Sequence, residues 1–235
     1  MKPPSGWLDA LPDHRLLAEF SLWSADLARL ADDIARVDDF VDIYHIDVAD
    51  GHFSPALLYF PDLTAVVRKA TAKPLHVHLM TADAIVLDQI TQFAEAGADL
   101  ISIHAENANA DAGLELIAKF GLSAGIVLQL HTPVTAAAQF VDRIAMLTLL
   151  GTRIGIKGQG LDDSALSRLQ EARALIAARA NGHRVILAAD GGIREHTVPD
   201  LCRAGAQTIV MGSLAFGAPD LADRIGWVRG LADGA

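Results

Sequence analysis

Eight short apolar runs, separated by stretches of helical character, constrain this chain more than any other feature. The runs are Leu17–Leu22, Val41–Val48, Leu75–Leu79, Leu100–His104, Ser123–Leu130, Ile144–Leu150, Arg184–Ala189 and Thr208–Met211. Between them lie amphipathic segments such as Ala25–Val37, Asp62–Ala70, Ala84–Ala96, Asp111–Phe120, Asp162–Ala180 and Val198–Ala204. Gly97-Ala98, Gly121-Leu122 and Gly205-Ala206 precede strands, where a glycine at a helix C-terminus turns the chain back into a sheet. Eight strands alternating with helices at a repeat of roughly 20–40 residues predict a single (β/α)₈ barrel of the α/β class. A doubly wound open sheet is the alternative, but it needs fewer strands and carries one glycine-rich nucleotide turn. A chain of 235 residues suits one barrel. The expected organisation is an N-terminal extension over 1–17 and a barrel domain over 18–235, without linker or low-complexity tract. Trp7 and Leu8 tilt the extension toward packing rather than toward a free tail.

Composition removes several classes. Half of the chain is hydrophobic, yet no uninterrupted apolar stretch reaches the length of a membrane span. The prolines and early acids of Met1–His14 do not read as a signal peptide, and a single cysteine, Cys202, cannot form an intramolecular disulfide. A cytoplasmic location is therefore expected, with no membrane partner. A net charge of −10 argues against nucleic acid, whose phosphates select basic faces. An anionic substrate would need local help from glycine-rich turns, helix N-termini or a few placed cations.

Ligand-type side chains close three of the runs: His45 and Asp47 in YHIDVADGHF, His78 in LHVHLM, and Asp190 in VILAADGGI. His45 and Asp47 are two apart, so on a strand both point the same way, into a barrel mouth. Catalytic groups of such barrels gather at the C-terminal ends of the strands. His76 and His78 share that spacing; one of them is the expected ligand, and His78, nearer the strand end, is chosen. His52, His104 and His131 also fall near this face, but their spacing singles none of them out. Two imidazoles and two carboxylates suit one divalent metal ion, zinc first, with iron, manganese and cobalt also admitted. The two carboxylates can trade a proton across a substrate held between them.

Over Phe20–Phe216 the chain resembles the ribulose-phosphate 3-epimerases. The resemblance is carried by Ser21-Leu22-Trp23-Ser24-Ala25-Asp26, His45-Ile46-Asp47, Asp50-Gly51-His52-Phe53-Ser54-Pro55, His78-Leu79-Met80, His104-Ala105-Glu106, Asp190-Gly191-Gly192-Ile193 and Gly212-Ser213. It implies that His45, Asp47, His78 and Asp190 hold the metal. It also implies that Asp47 and Asp190 are the acid–base pair, that Ser21 contacts substrate and that Met80 walls the site. Asp47 would remove the proton at C3 and Asp190 return one on the other face, through a metal-stabilised enediolate. Glycines that let backbone N–H groups approach an anion make Gly191, Gly192, Gly212 and Ser213 the expected phosphate contacts. The family forms oligomers, so a homo-oligomer is implied.

Departures cluster in the loops. The family's Asn-Pro-Gly-Phe-Gly-Gly-Gln flap corresponds to Arg153-Ile154-Gly155-Ile156-Lys157-Gly158-Gln159, and its Asn-Pro-Ala-Thr-Pro to Gln129-Leu130-His131-Thr132-Pro133. Gly155, Lys157 and Gly158 are therefore expected at the substrate, with Arg153 and Lys157 near an anionic group. Ala49 and Ala56 replace a methionine and an asparagine. The expected activity is 3-epimerisation of D-ribulose 5-phosphate to D-xylulose 5-phosphate, or of a related ketose phosphate. The alternatives are another metal-enediolate isomerase or aldolase of the same barrel, and a non-catalytic sugar-phosphate sensor. A decarboxylase is disfavoured because Asp47-Val48-Ala49-Asp50 lacks a lysine, and a Schiff-base aldolase would have only Lys157 near the right face.

Overall fold

The computed structural model describes residues 2–179 and 182–231. Eight parallel strands form its barrel: β1 (Leu17–Ser21), β2 (Ile43–Asp50), β3 (Leu75–Met80), β4 (Leu100–His104), β5 (Ser123–Leu128), β6 (Met146–Leu150), β7 (Ile186–Asp190) and β8 (Thr208–Met211). Each pairs with its sequence neighbours, and β1 closes the ring by pairing with both β2 and β8. A two-residue strand, Leu57–Leu58, folds back antiparallel on the end of β2, opposite Ala49 and Asp50.

Strand alternation sorts the side chains into two compartments. Tyr44, Ile46 and Val48 of β2, Val77 and Leu79 of β3, and Leu187 and Ala189 of β7 belong to the apolar layer between sheet and helices. The opposite parity faces the lumen. At the foot of the barrel it is apolar: Leu17, Ile43, Leu100, Met146, Ile186 and Ala188 form a separate cluster. Trp7, Leu8 and Leu11 pack on that cluster from outside, around the short helix Trp7–Ala10. The Arg184 guanidinium fastens this segment by donating to the carbonyls of Leu8, Leu11 and Pro12. One turn higher the lumen becomes polar, with Glu19, His45, His76, Ser102, Thr148 and Thr208 all buried. Burial of so many polar groups is tolerated because they bond one another.

The expected strands and helices are present, with shifts at their ends. The predicted helix 25–37 is helical only over Leu30–Val37. Before it lie two 3₁₀ turns, Leu22–Ser24 and Leu27–Arg29, because Asp26 turns its carboxylate back to cap the Ala28 N–H instead of propagating a helix. The predicted helix 162–180 spans Ala165–Ala177; Asp162 accepts from the Ser164 N–H and hydroxyl ahead of it. Its expected end at Ala180 lies outside the described residues, as do Met1 and 232–235 of the two expected chain segments. The β5–β6 crossover carries only the 3₁₀ segment Val134–Gln139. No helix among the described residues is long and apolar enough to cross a membrane.

Candidate active site and metal centre

Register brings the ligand-type residues together. Ser21 of β1 lies beside His45 of β2, Asp47 beside His78 of β3, and Leu150 of β6 beside Asp190 of β7. All of these face the lumen at the C-terminal mouth. One donor atom from each of His45, Asp47, His78 and Asp190 lies within 4.8 Å of the others. His45 Nε2 is 3.1 Å from Asp47 Oδ1 and 3.9 Å from Asp190 Oδ2. His78 Nδ1 is 3.6 Å from Asp47 Oδ1 and 3.7 Å from Asp190 Oδ2. A tetrahedral ion with bonds of about 2.0–2.1 Å requires donor–donor edges of about 3.3 Å, and these four spacings, 3.1–3.9 Å, fall on either side of that value. His78 Nδ1 is buried without a hydrogen-bond partner. A buried imidazole nitrogen left unpaired beside two carboxylates is costly unless something positive fills the gap. The donor set fits a divalent cation.

The charges inside this cluster are pushed apart. For Asp190, burial acts first and raises the pKa to about 6, with the Asp47 charge adding to it and the His45 ring opposing it. Burial also works against the Asp47 carboxylate, but the charge and hydrogen bond of His45, with His78 close by, outweigh it and hold that pKa well below the usual carboxylate range. Ser21 Oγ adds a hydrogen bond to Asp47 Oδ2 at 2.7 Å. His45 resists burial by sitting between Asp47 and Glu19, and its pKa stands well above that of a free imidazole. A metal ion at Nε2 would require that nitrogen to be free of its proton, so metal binding and protonation of His45 oppose each other.

The cavity above the cluster has a volume of about 340 Å³. Asp47, His78 and Asp190 form its floor, and His45 lies behind them. Every residue expected at the substrate lines it: Ser21, Met80, Gly155, Lys157, Gly158, Gly191, Gly192, Gly212 and Ser213. Gly192, at φ 71°, has no room for a side chain, since a Cβ would lie 2.7 Å from the Leu161 Cα. Gly155, at φ 69°, is equally confined, its Cβ position lying 2.0 Å from Ser54 Oγ. Lys157 places its ammonium 4.9 Å from the centre of the Trp23 ring and also donates to the Trp23 carbonyl. Partial burial lowers its pKa, against the attraction of Asp47. Arg153 lines the cavity too, but its guanidinium is engaged with Gln159 at 3.4 Å.

Three groups went unrecognised in the sequence. Arg194 lines the cavity next to the glycine pair and donates to the Ile193 carbonyl. Glu19 lies fully buried under the cluster and bonds both His45 and His76, so His76 is a neighbour of the site rather than a member of it. His104 sits against His78, its Nε2 2.9 Å from that of His78, and Glu106 holds its other nitrogen at 3.1 Å. Burial lowers the His104 pKa to about 4 and keeps its ring neutral. A carboxylate inside the apolar run LLAEFSL was the available signal for Glu19. The i, i+2 spacing of His104 and Glu106, the same as that of His45 and Asp47, was the signal for the other pair.

Comparison with known proteins agrees with this geometry. Residues 17–216 match the Ribulose-phosphate 3 epimerase family. Ribulose-phosphate 3-epimerase 2 of Cupriavidus necator is 36% identical over 204 residues, covering 85% of this chain and 84% of that protein. Ribulose-phosphate 3-epimerase of Bacillus subtilis is 36% identical over 214 residues, covering 89% and 96%. Among solved structures, 3-hexulose-6-phosphate synthase from Salmonella typhimurium superimposes with a TM-score of 0.68 at 15% identity, over 92% of this chain and 98% of that one, a likeness of fold. With the family match spanning nearly all of the barrel, this chain belongs to the ribulose-phosphate 3-epimerase family.

Proposed function

We propose that this protein is a metal-dependent epimerase that inverts C3 of D-ribulose 5-phosphate or a closely related ketose phosphate. The observation that carries the proposal is the pair Asp47 and Asp190, offered by β2 and β7 to one cavity beside two histidine donors, in a chain of this family. His45, Asp47, His78 and Asp190 would hold the ion, with zinc the first choice from the donor set. A divalent ion there supplies Lewis-acid stabilisation of the negative charge that develops when a carbon next to a ketone loses its proton. Asp47 and Asp190 act from opposite faces of the substrate, one taking the C3 proton and the other giving one back, so the stereocentre inverts. Burial and the Asp47 charge raise the Asp190 pKa, while the histidines lower that of Asp47, so the two carboxylates differ in basicity. Ser21 orients Asp47 through its second oxygen. Gly191, Gly192, Gly212 and Ser213 bind the phosphate, and Met80 closes one wall.

The loop after β6 favours a second reading of the substrate. Lys157, beside the Trp23 ring, adds a cation to the cavity lining, and we read that addition as suiting a ketose phosphate other than ribulose 5-phosphate. The wider assignment is a barrel domain over 18–235 preceded by an extension over 1–17, acting in the cytoplasm as a homo-oligomer. The match to bacterial epimerases over most of their length supports the barrel part of that assignment. The test is solvent exchange followed by NMR on metal-loaded protein with a panel of ketose phosphates. Deuterium uptake at C3 with formation of the epimer is expected. Uptake with ribulose 5-phosphate fixes the ordinary substrate, and uptake with another member of the panel moves it. No uptake by protein shown to hold its metal overturns the epimerase reading.

A further inference from the structure

Under and beside the cluster run two hydrogen-bonded chains, one ending on the fully buried Glu19 and the other on the partly buried Glu106, neither of which lines the cavity. In the first, Glu19 Oε1 accepts from Nδ1 of His45 at 2.8 Å and from Nδ1 of His76 at 2.6 Å, while Oε2 accepts from Thr208 Oγ1 at 3.2 Å. Ser102 Oγ, 2.7 Å from His76 Nε2, completes that chain. In the second, Glu106 Oε2 accepts from His104 Nδ1 at 3.1 Å, and His104 Nε2 lies 2.9 Å from His78 Nε2. Glu106 is itself fixed by the Gln129 N–H at 3.0 Å and by the Thr132 hydroxyl.

An ionised carboxylate only accepts, so each chain has one consistent direction of protons. Glu19 requires the hydrogen of a neutral His45 to sit on Nδ1, leaving the lone pair on Nε2, the nitrogen nearest Asp47 and Asp190. Glu106 requires the His104 hydrogen on Nδ1, so His104 Nε2 must accept. His78 then donates from Nε2 and keeps its lone pair on Nδ1, the unpartnered nitrogen beside the same two carboxylates. Two histidines thus present opposite ring nitrogens to a single point, and each choice is made by a carboxylate behind it. Stability does not explain this arrangement, since a fully buried carboxylate gains little over a well-packed apolar side chain.

We propose that Glu19, directly, and Glu106, through His104, are positioning residues that set which nitrogen of His45 and His78 faces the metal, and so set metal affinity. The inference rests on the metal-site part of the proposed function but needs no turnover to be tested. Full-length protein carrying ¹⁵N-labelled histidine and loaded with ¹¹³Cd²⁺ should show coupling from the metal to Nε2 of His45 and to Nδ1 of His78. Coupling to the other nitrogen of either ring overturns the proposal. Chelator competition for Zn²⁺ should show affinity about 10–100-fold weaker in Glu19→Gln, with a smaller loss in Glu106→Gln. Ser102→Ala, which cuts only the outermost bond of the first chain, should bind Zn²⁺ as the unmodified protein does. Unchanged affinity in folded Glu19→Gln, or an equal loss in Ser102→Ala, also overturns it. If neither ion binds the unmodified protein, the metal site fails and this inference with it. Tight, correctly coupled metal in a protein that exchanges no C3 proton sinks the epimerase reading alone.

Discussion

His45, Asp47 and His78 stand on strands, buried, whereas Arg153–Gln159 on the opposite wall of the same cavity form a loop with Arg153, Ile156, Lys157 and Gly158 exposed. On the strand side every side chain is held by a partner from another strand: Ser21 on Asp47, Glu19 on His45, His104 on His78. On the loop side the bracing is local. Gln159 donates to the carbonyls of Arg153 and Ile156, both at 2.8 Å, and little of the barrel takes part. Groups that move a proton need positions fixed to a fraction of an ångström, and strands of a closed barrel provide that. Beyond its local bracing, the loop meets the rest of the barrel through the Lys157–Trp23 contact, so most of its side chains can change without disturbing the strands. Under the proposed function the strands would carry the reaction and the loop would bear on the choice of substrate.

Four experiments press on that division, and the largest effect is expected at the strand side. Asp47→Asn should lower turnover by about 10²–10⁴-fold, read as C3 deuterium uptake, because it removes one of the two proton-transfer groups. Activity within tenfold of the unmodified protein would break the division and remove Asp47 from the proton transfer. Stripping the metal with a chelator should abolish turnover, and adding Zn²⁺ back should restore it; turnover that survives stripping would remove the ion from the chemistry. On the loop side, Lys157→Ala should raise KM by about tenfold with kcat little changed, the signature of lost uniform binding. A drop in kcat as large as that of the Asp47 variant would show that the loop shares in the chemistry.

The smallest effect belongs far from both walls. Asp42 lies near the foot of β2, bonded to Arg15 at 2.7 and 2.8 Å, to Arg229 at 3.3 Å and to the Ala18 N–H. Burial raises its pKa, but these partners outweigh burial and leave it lowered. A lowered folded value means that the unfolded chain binds the proton more readily, so the stabilisation is complete above the unfolded pKa of about 3.9 and fades as pH falls below it. Asp42→Asn should cost about 1–3 kcal/mol in urea unfolding at pH 7 and much less at pH 3, with turnover per folded molecule unchanged. A difference that grows toward low pH would contradict the lowered value.

The ligand quartet was legible because strand parity is a local property. His45 and Asp47 share a face by spacing alone, and a strand end is visible in any apolar run that stops. The layer behind it depends on which strands meet across the lumen, and no local pattern encodes that Glu19 of β1 meets His76 of β3. In sequence Glu19 is a lone carboxylate within an apolar run; in the barrel it accepts from two imidazoles. The loop after β6 was legible in content but not in shape. Lys157 reaches Trp23 across 134 positions of sequence, a meeting set by barrel closure. The broken helix at 25–37 had a legible cause, Asp26, whose short carboxylate competes with helix propagation.

The apolar foot of the barrel carries one last consequence. Trp7, Leu8 and Leu11 cork the end opposite the cavity, and Arg184 holds the cork by three backbone oxygens. The lumen is therefore a blind vessel with one doorway. Under the proposed function, a ligand held over Asp47 would enter and leave past the same sill, bordered by the Arg153–Gln159 loop.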